Sequence, residues 1–163
     1  MTATVPTLLF EHRRVYELTG DVRRSAGSVK VGTADLVRHG DDVTVVAWGW
    51  MRHEAERACA VLAPDGINAD LIDLVSIKPL DFETIVESVR RTGALLVVEE
   101  AFVTGSVGAE VLARVSEALP GQPLRLHRVA MPDVIHPYDA RLERAILPTS
   151  TDVVRGIKSL LGR

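Results

Sequence analysis

The chain has 163 residues, 47% of them hydrophobic and 25% charged, with a formal net charge of −3. That length suits one compact domain with a proper core, and the mild acidity offers no basic field to nucleic acid. The lone Cys59 excludes a disulfide framework or a cysteine zinc site, no apolar run approaches the ~18 residues of a membrane span, and the N-terminus lacks the pattern of a signal peptide, so a cytoplasmic protein is the default expectation.

In chain order, Leu8–Phe10 reads as a short strand fragment, followed by the polar Glu11-His12-Arg13-Arg14 and an aperiodic linker over Gly20–Ser28. The regular body begins near Val29. Val29–Arg38 alternates loosely, Gly40-Asp41-Asp42 reads as a turn, and the β-branched run Val43–Trp48 suits a buried strand. Met51–Leu62 carries Met51, Ala55, Ala58, Cys59 and Leu62 at helical spacing and stops at Pro64-Asp65-Gly66. The alternation then repeats: a strand at Ala69–Leu74, then a helix capped by Asp81, with Thr84 and Glu87 on its exposed side, running to about Arg91 and closed by Gly93. Ala94–Val98 is the next strand, Val107–Ala118 a helix ended by Pro120-Gly121, and Leu124–Val129 a short strand. After Pro132–Pro137 come a small helix at Ala140–Ala145 and a last helix, capped by Ser150 or Thr151, with Val153, Ile157, Leu160 and Leu161 as its apolar face. Strands alternating with helices predict an α/β fold of three layers, α/β/α, around a mostly parallel open sheet.

The stretch Leu95–Glu110 is the most informative. An apolar run ends in Glu99 and Glu100 and crosses a loop bearing Gly105 and Gly108 into a helix, the place where an open α/β sheet puts its functional surface. If the strand continues, adjacent carboxylates point to opposite faces, so they do not form an acid/base pair automatically. The plainer reading has one of them bonding loop amides or a helix N-terminus and the other in solvent. The Gly105–Gly108 loop fits either an anion cradle or a tight turn with close helix packing, and it matches neither the dinucleotide fingerprint nor the P-loop. His53 and Glu54, beside Trp48 and Trp50, read either as the lining of a pocket or as a packed junction or partner surface. No histidine pair has zinc-binding spacing, no serine sits in a nucleophile elbow, and Cys59 reads as a structural thiol.

Four segments together resemble the C-terminal domain of transketolase-like enzymes, and within them the beta subunits of 2-oxo acid (pyruvate or branched-chain) dehydrogenases. They are Gly40–Ala58 (GDDVTVVAWGWMRHEAERA), Leu71–Asp81 (LIDLVSIKPLD), Val97–Glu110, and His136-Pro137-Tyr138 through Leu142-Glu143 to Pro148. Pro6–Tyr16 (PTLLFEHRRVY) resembles the last strand of that family's preceding pyrimidine-binding domain and its exit. Ser76 stands where the family usually has arginine or threonine, and Trp48-Gly49-Trp50 replaces a smaller turn.

The resemblance implies residues 1–28 as a remnant strand with linker and residues 29–163 as the domain itself. It implies that thiamine diphosphate and magnesium sit on a partner chain, since the only local near-match to the magnesium motif, Pro64-Asp65-Gly66-Ile67-Asn68, lacks the spacing to asparagine. The expected role is therefore an organising subunit of a split thiamine-diphosphate enzyme, of 2-oxo acid dehydrogenase or transketolase type, within a homo- or hetero-oligomer that reaches an acyltransferase core. The alternative is a cofactor-free assembly module derived from the same domain. No catalytic residue is expected. The candidate interface or structural residues are Leu8, Leu9, Phe10, Trp48, Trp50, Glu99, Glu100, Gly105, Gly108, Glu110, His136, Pro137, Tyr138, Glu143 and Arg163, the last at the end of an expected exposed tail over Val154–Arg163. Residues up to about Ser28 are expected to be disordered, or ordered only through a neighbouring molecule.

Overall fold

In a computed structural model, residues 6–20 and 30–163 are described. The strands are β1 (Asp35–Arg38), β2 (Val43–Ala47), β3 (Ala69–Asp73), β4 (Ala94–Phe102) and β5 (Arg125–Met131); the helices are α1 (Trp50–Leu62), α2 (Phe82–Thr92), α3 (Val107–Ala118), α4 (Ala140–Ile146) and α5 (Ser150–Leu161). They form one sheet in the order β1-β3-β2-β4-β5, parallel throughout except for the antiparallel edge strand β1.

The β2 run is buried along its whole length because both of its faces are covered. Val45, Leu71, Leu96 and Val98 face α1 and α5, together with Met51, Ala55, Ala58, Cys59, Val153 and Ile157. Val46, Ile72, Leu95 and Val97 face α2 and α3 with Ile85, Val89, Val111 and Val115. The side-chain period of two thus deals alternate residues of each strand to the two helical layers. Burial holds the Cys59 thiol up to about 11, so it packs as a small hydrophobe.

Four expectations need correction. Leu8–Phe10 adopts no strand and its side chains stay in solvent (Phe10 is 89% exposed), because no strand among the described residues pairs with it. A 3-10 turn at Arg13–Glu17 follows, and this part of the front end takes its place without a neighbouring molecule, because His12 bonds Glu100 of the same chain; of the expected linker Gly20–Ser28, residues 21–28 lie outside the described residues, as do residues 1–5. The cap of α5 is Thr149, one residue before the expected position, in a reciprocal capping box with Asp152. Val154–Arg163 is no loose tail, because α5 lies on the core: Gly156 is buried, with room for a Cβ only 3.0 Å from the Val129 methyl.

At the N-terminal end of the strands the turn at Gly40 is held by buried polar groups. Gly40 N donates to Asp70 Oδ1 at 2.8 Å, Ser88 Oγ donates to Asp70 Oδ2 at 2.6 Å, and Thr44 Oγ1 meets Ser88 Oγ at 2.7 Å. Arg91 closes the group, pairing with Asp70 and Asp41 and donating to Gly40 O at 2.8 Å. Asp70 is fully buried, so removing Arg91 leaves an uncompensated charge. Arg91→Ala is expected to lower stability by about 2–3 kcal/mol, the modest end of such losses because Arg91 is itself half-exposed. Urea unfolding of this variant beside Glu87→Gln, which should match wild type, checks it.

Candidate functional site

The register pairs Ala47 with Val98, so the chain beyond β2 and the second half of β4 stand side by side at the carboxyl end of the sheet. From there β2 leads to α1 on one face and β4 leads to α3 on the other. Neighbouring strands whose connections part in this way define the topological switch point of an open sheet.

Because β4 continues to Phe102, Glu99 and Glu100 lie within it and take opposite faces. Glu99 is fully buried toward α3. Its Oε1 accepts from Ser106 Oγ at 2.5 Å and its Oε2 from Gly108 N at 3.1 Å, so both oxygens hold the helix N-terminus. Ser106 is the N-cap itself, accepting from Ala109 N. Gly105 turns the loop at φ +70°, where glycine is favoured, and Gly108 lies where the helix passes over β4: a Cβ there would stand 2.3 Å from Glu99 Oε1. The plainer reading holds for Glu99, which bonds the helix N-terminus, but Glu100 is only partly exposed and not left to solvent. The Gly108 amide is not open to an anion, because a carboxylate of the chain already takes it.

On the other face Glu100 keeps a partly exposed carboxylate, and Nε2 of His12 lies 3.1 Å from its Oε2. His12 stacks on Trp50 with ring centroids 6.1 Å apart, and the guanidinium groups of Arg14 and Arg57 lie over the same indole. The sequence signalled none of this, since His12 is 88 residues from Glu100 and shares no spacing with it. Trp48 and Trp50, expected to form a packed junction or a partner surface, pack in different layers, Trp48 with α2 and α3 and Trp50 with α1 and α5: residues two apart would share a face along a strand, but the Gly49 turn at φ +55° redirects the chain between them. His53 and Glu54 line no common pocket either. His53 tilts against Trp50, with burial lowering its pKa, while Glu54 is buried and accepts from Ser150 N at 2.8 Å, fastening the start of α5.

Two open cavities lie elsewhere: about 600 Å³ beside α2, lined by Leu80, Phe82 and Arg90, and about 310 Å³ near Asp70, His39 and Arg91. Among the described residues no cluster of three or more His, Cys, Asp or Glu is placed to hold a metal ion, and no helix is long and apolar enough to cross a membrane. The site is thus a junction whose charged groups hold the fold.

Residues 32–153 match the family described as the C-terminal domain of transketolase. The chain belongs to that family. It is 33% identical over 157 residues to the pyruvate dehydrogenase E1 component subunit beta of Gracilaria tenuistipitata, covering 96% of this chain and 49% of that protein. It is 37% identical over 158 residues to the 2-oxoisovalerate dehydrogenase subunit beta of Bacillus subtilis, covering 95% and 48%. A solved structure described as a split gene transketolase, inactive beta4 tetramer, superposes with a TM-score of 0.73 at 33% identity, over 82% of this chain and 44% of that one. The chain spans about half the length of the curated relatives it matches.

Within this transketolase C-terminal domain the remaining candidates are dispersed. Glu110 is an exposed acid in the first turn of α3, favourable to the helix dipole. His136 Nε2 meets Glu143 Oε1 at 3.3 Å across the loop between β5 and α4, with Pro137 half-buried, while Ile135 and Tyr138 stand fully out in water and Leu142 is exposed. Arg163 ends the chain in solvent after Gly162. Ser76, a departure from the family pattern, donates to Pro79 O at 2.7 Å and so holds the loop before α2 from within.

Two tests follow from the junction. Gly108→Val must displace the tied Glu99 carboxylate and crowd the Val97 methyl, 3.0 Å from the added Cβ, and should destabilise by on the order of 2–3 kcal/mol. Glu100→Gln at the partly exposed position should stay within about 0.5 kcal/mol in the same thermal denaturation series. Asp73, at the end of β3, is the titrating group: burial raises its carboxyl to about 6, with Asp35 opposite adding to the rise and Arg52 opposing it. The folded state therefore holds this proton up to about pH 6 while the unfolded chain releases it near pH ~4. Stability from the neutral form is complete below about pH 4 and is lost as pH rises through about 6. Asp73→Asn should raise the melting temperature at pH 7.5 and give no gain at pH 4. The gain should be on the order of 1 kcal/mol, discounted because 26% of the side chain remains in water.

Proposed function

We propose that this domain is an organising component of a thiamine-diphosphate-dependent enzyme assembly of the 2-oxo acid dehydrogenase beta-subunit type, in which domains outside these 163 residues hold the cofactor. The observation that carries the reading is the commitment of Glu99. In the Gly105–Gly108 loop at the switch point, where a diphosphate would need free backbone amides, a buried carboxylate of the chain already accepts from Gly108 N and Ser106 Oγ. A fixed negative charge there repels a diphosphate, so the residues present do not fit thiamine diphosphate or its magnesium, and no catalytic step runs through them.

What the domain offers instead is surface. Ile135, Tyr138 and Leu142 on one loop and helix, and Leu8, Leu9 and Phe10 on the front segment, expose apolar side chains that a protein neighbour would cover. The solved relative is described as an inactive beta4 tetramer, the behaviour expected of a chain that completes an enzyme rather than being one. In the assembly the domain would buttress the cofactor-binding domains, pair within a homo- or hetero-oligomer, and contribute to contacts with an acyltransferase core. The overall reaction would be decarboxylation of a 2-oxo acid, with the carbanion chemistry supplied by the cofactor.

The test is reconstitution. The protein bearing the cofactor domains, recovered by pull-down from the source cell, is assayed with 2-oxo acids, thiamine diphosphate and magnesium, with and without this chain. Activity or cofactor retention that rises at least about tenfold on mixing is expected, equivalent to about 1.4 kcal/mol of coupling. Activity unchanged from that protein alone would sink the organising role, and stable binding without any change in activity would favour a cofactor-free assembly module.

A further inference from the structure

The mouth of the switch point, where an open α/β sheet receives its ligands, is covered here by the chain's own front segment. Three side-chain contacts fasten the centre of residues 6–20 there: His12 with Glu100 at 3.1 Å, His12 stacked on Trp50, and Arg14 over the same ring at 5.5 Å. The segment is itself preshaped. Arg14 N donates to His12 Nδ1 at 3.2 Å, which leaves Nε2 to face Glu100, and Tyr16 Oη donates to Glu11 at 2.8 Å. On either side of the latch Leu8, Leu9, Phe10 and Leu18 remain exposed, so burial of these apolar residues does not hold the segment.

The receptor has a definite chemistry. An indole face beside a carboxylate, with one edge of the ring already shared with Arg57, recognises a flat cationic or imidazole side chain by stacking and charge together. Contacts of this kind are individually weak when partly exposed, and a segment held by a few of them opens far more readily than the core unfolds. We propose that residues 6–20 act as a displaceable strap, latched by His12 in the Trp50–Glu100 receptor, which closes the switch-point mouth until a basic segment of a protein partner takes the latch's place. This inference rests on contacts within the chain and stands or falls separately from the thiamine-enzyme reading.

The experiment uses the full chain and the two arginines inside the strap. Trypsin cleavage after Arg13 and Arg14 is followed by mass spectrometry in wild type, Glu100→Ala and Trp50→Leu, none of which alters the cleaved sequence, and in a free peptide of residues 6–20. Wild type should be cut more slowly than the peptide, and both variants should be cut roughly three- to tenfold faster than wild type while Glu100→Ala keeps the wild-type melting temperature. In the second arm, Trp emission is read in a Trp48→Phe background. His12→Ala should shift the emission, and the Trp-free peptide of residues 6–20 added in trans should restore it, while the same peptide carrying His12→Ala should not. Cleavage of wild type at the rate of the free peptide, or equal cleavage of wild type and both variants, would overturn the latch. Failure of the wild-type peptide to restore emission would overturn its displacement by a basic segment.

Discussion

The carboxylate of Glu99 sets the terms for the rest of this fold. It lies on the interior strand β4 with no exposure to water, a position that a carboxyl group tolerates only if donors replace its hydration. The donors it finds are Ser106 Oγ and Gly108 N at the start of α3, so the strand and the helix after it are bound through one charge. Close approach is the condition for this bond, and Gly108 supplies it by having no side chain. A glycine and a glutamate nine residues apart are thus one structural unit.

The same solution recurs at other helix starts. Glu54 reaches across from α1 to the first turn of α5, and Asp81 accepts from Thr84 N at the start of α2 and from Ala34 N in the chain before β1, which keeps its carboxyl below the usual range despite burial. Asp70 does for the Gly40 turn what Glu99 does for α3. In each case a carboxylate accepts from a backbone amide and so fastens a turn or a helix start. Asp73 is the exception. Its nearest cation is only loosely engaged, with Arg52 Nε 3.9 Å away, and its carboxyl rises to about 6. It lies at the C-terminal rim of the sheet, the same end at which Trp50 Nε1 is the buried side-chain polar atom among the described residues with no hydrogen-bond partner.

That rim is also where the domain meets the outside. The front segment crosses it at Trp50 and Glu100, and the β5–α4 loop, tied to the end of β4 by Thr104 and Asp133, carries Ile135 and Tyr138 into solvent. The core is closed on both faces of the sheet, while the end that bears the switch point is left to side chains of uneven polarity. This domain keeps its buried apolar contacts in the layers and carries exposed apolar side chains such as Ile135 and Tyr138 at the rim.

The alternation of β-branched runs with helical spacing was enough to establish the element order, the three layers and the mostly parallel sheet, because those follow from local periodicity and from the burial of both strand faces. Asp81 as a cap, Gly105 as a turn and Gly108 as a close approach were legible for the same reason: each acts on its immediate neighbours. The sequence also gave notice that Glu99 and Glu100 would face apart, since a strand's period is two. What only the tertiary structure decided are contacts between residues far apart in the chain. His12 with Glu100, Glu54 with Ser150 and Asp70 with Arg91 carry no common spacing, and the parting of Trp48 from Trp50 depends on how the Gly49 turn, at φ +55°, redirects the chain. The apolar face of α5 was legible in the spacing of Val153, Ile157, Leu160 and Leu161, but that α1 and β5 would cover it, so that the stretch read as an exposed tail lies on the core, was decided by packing between layers.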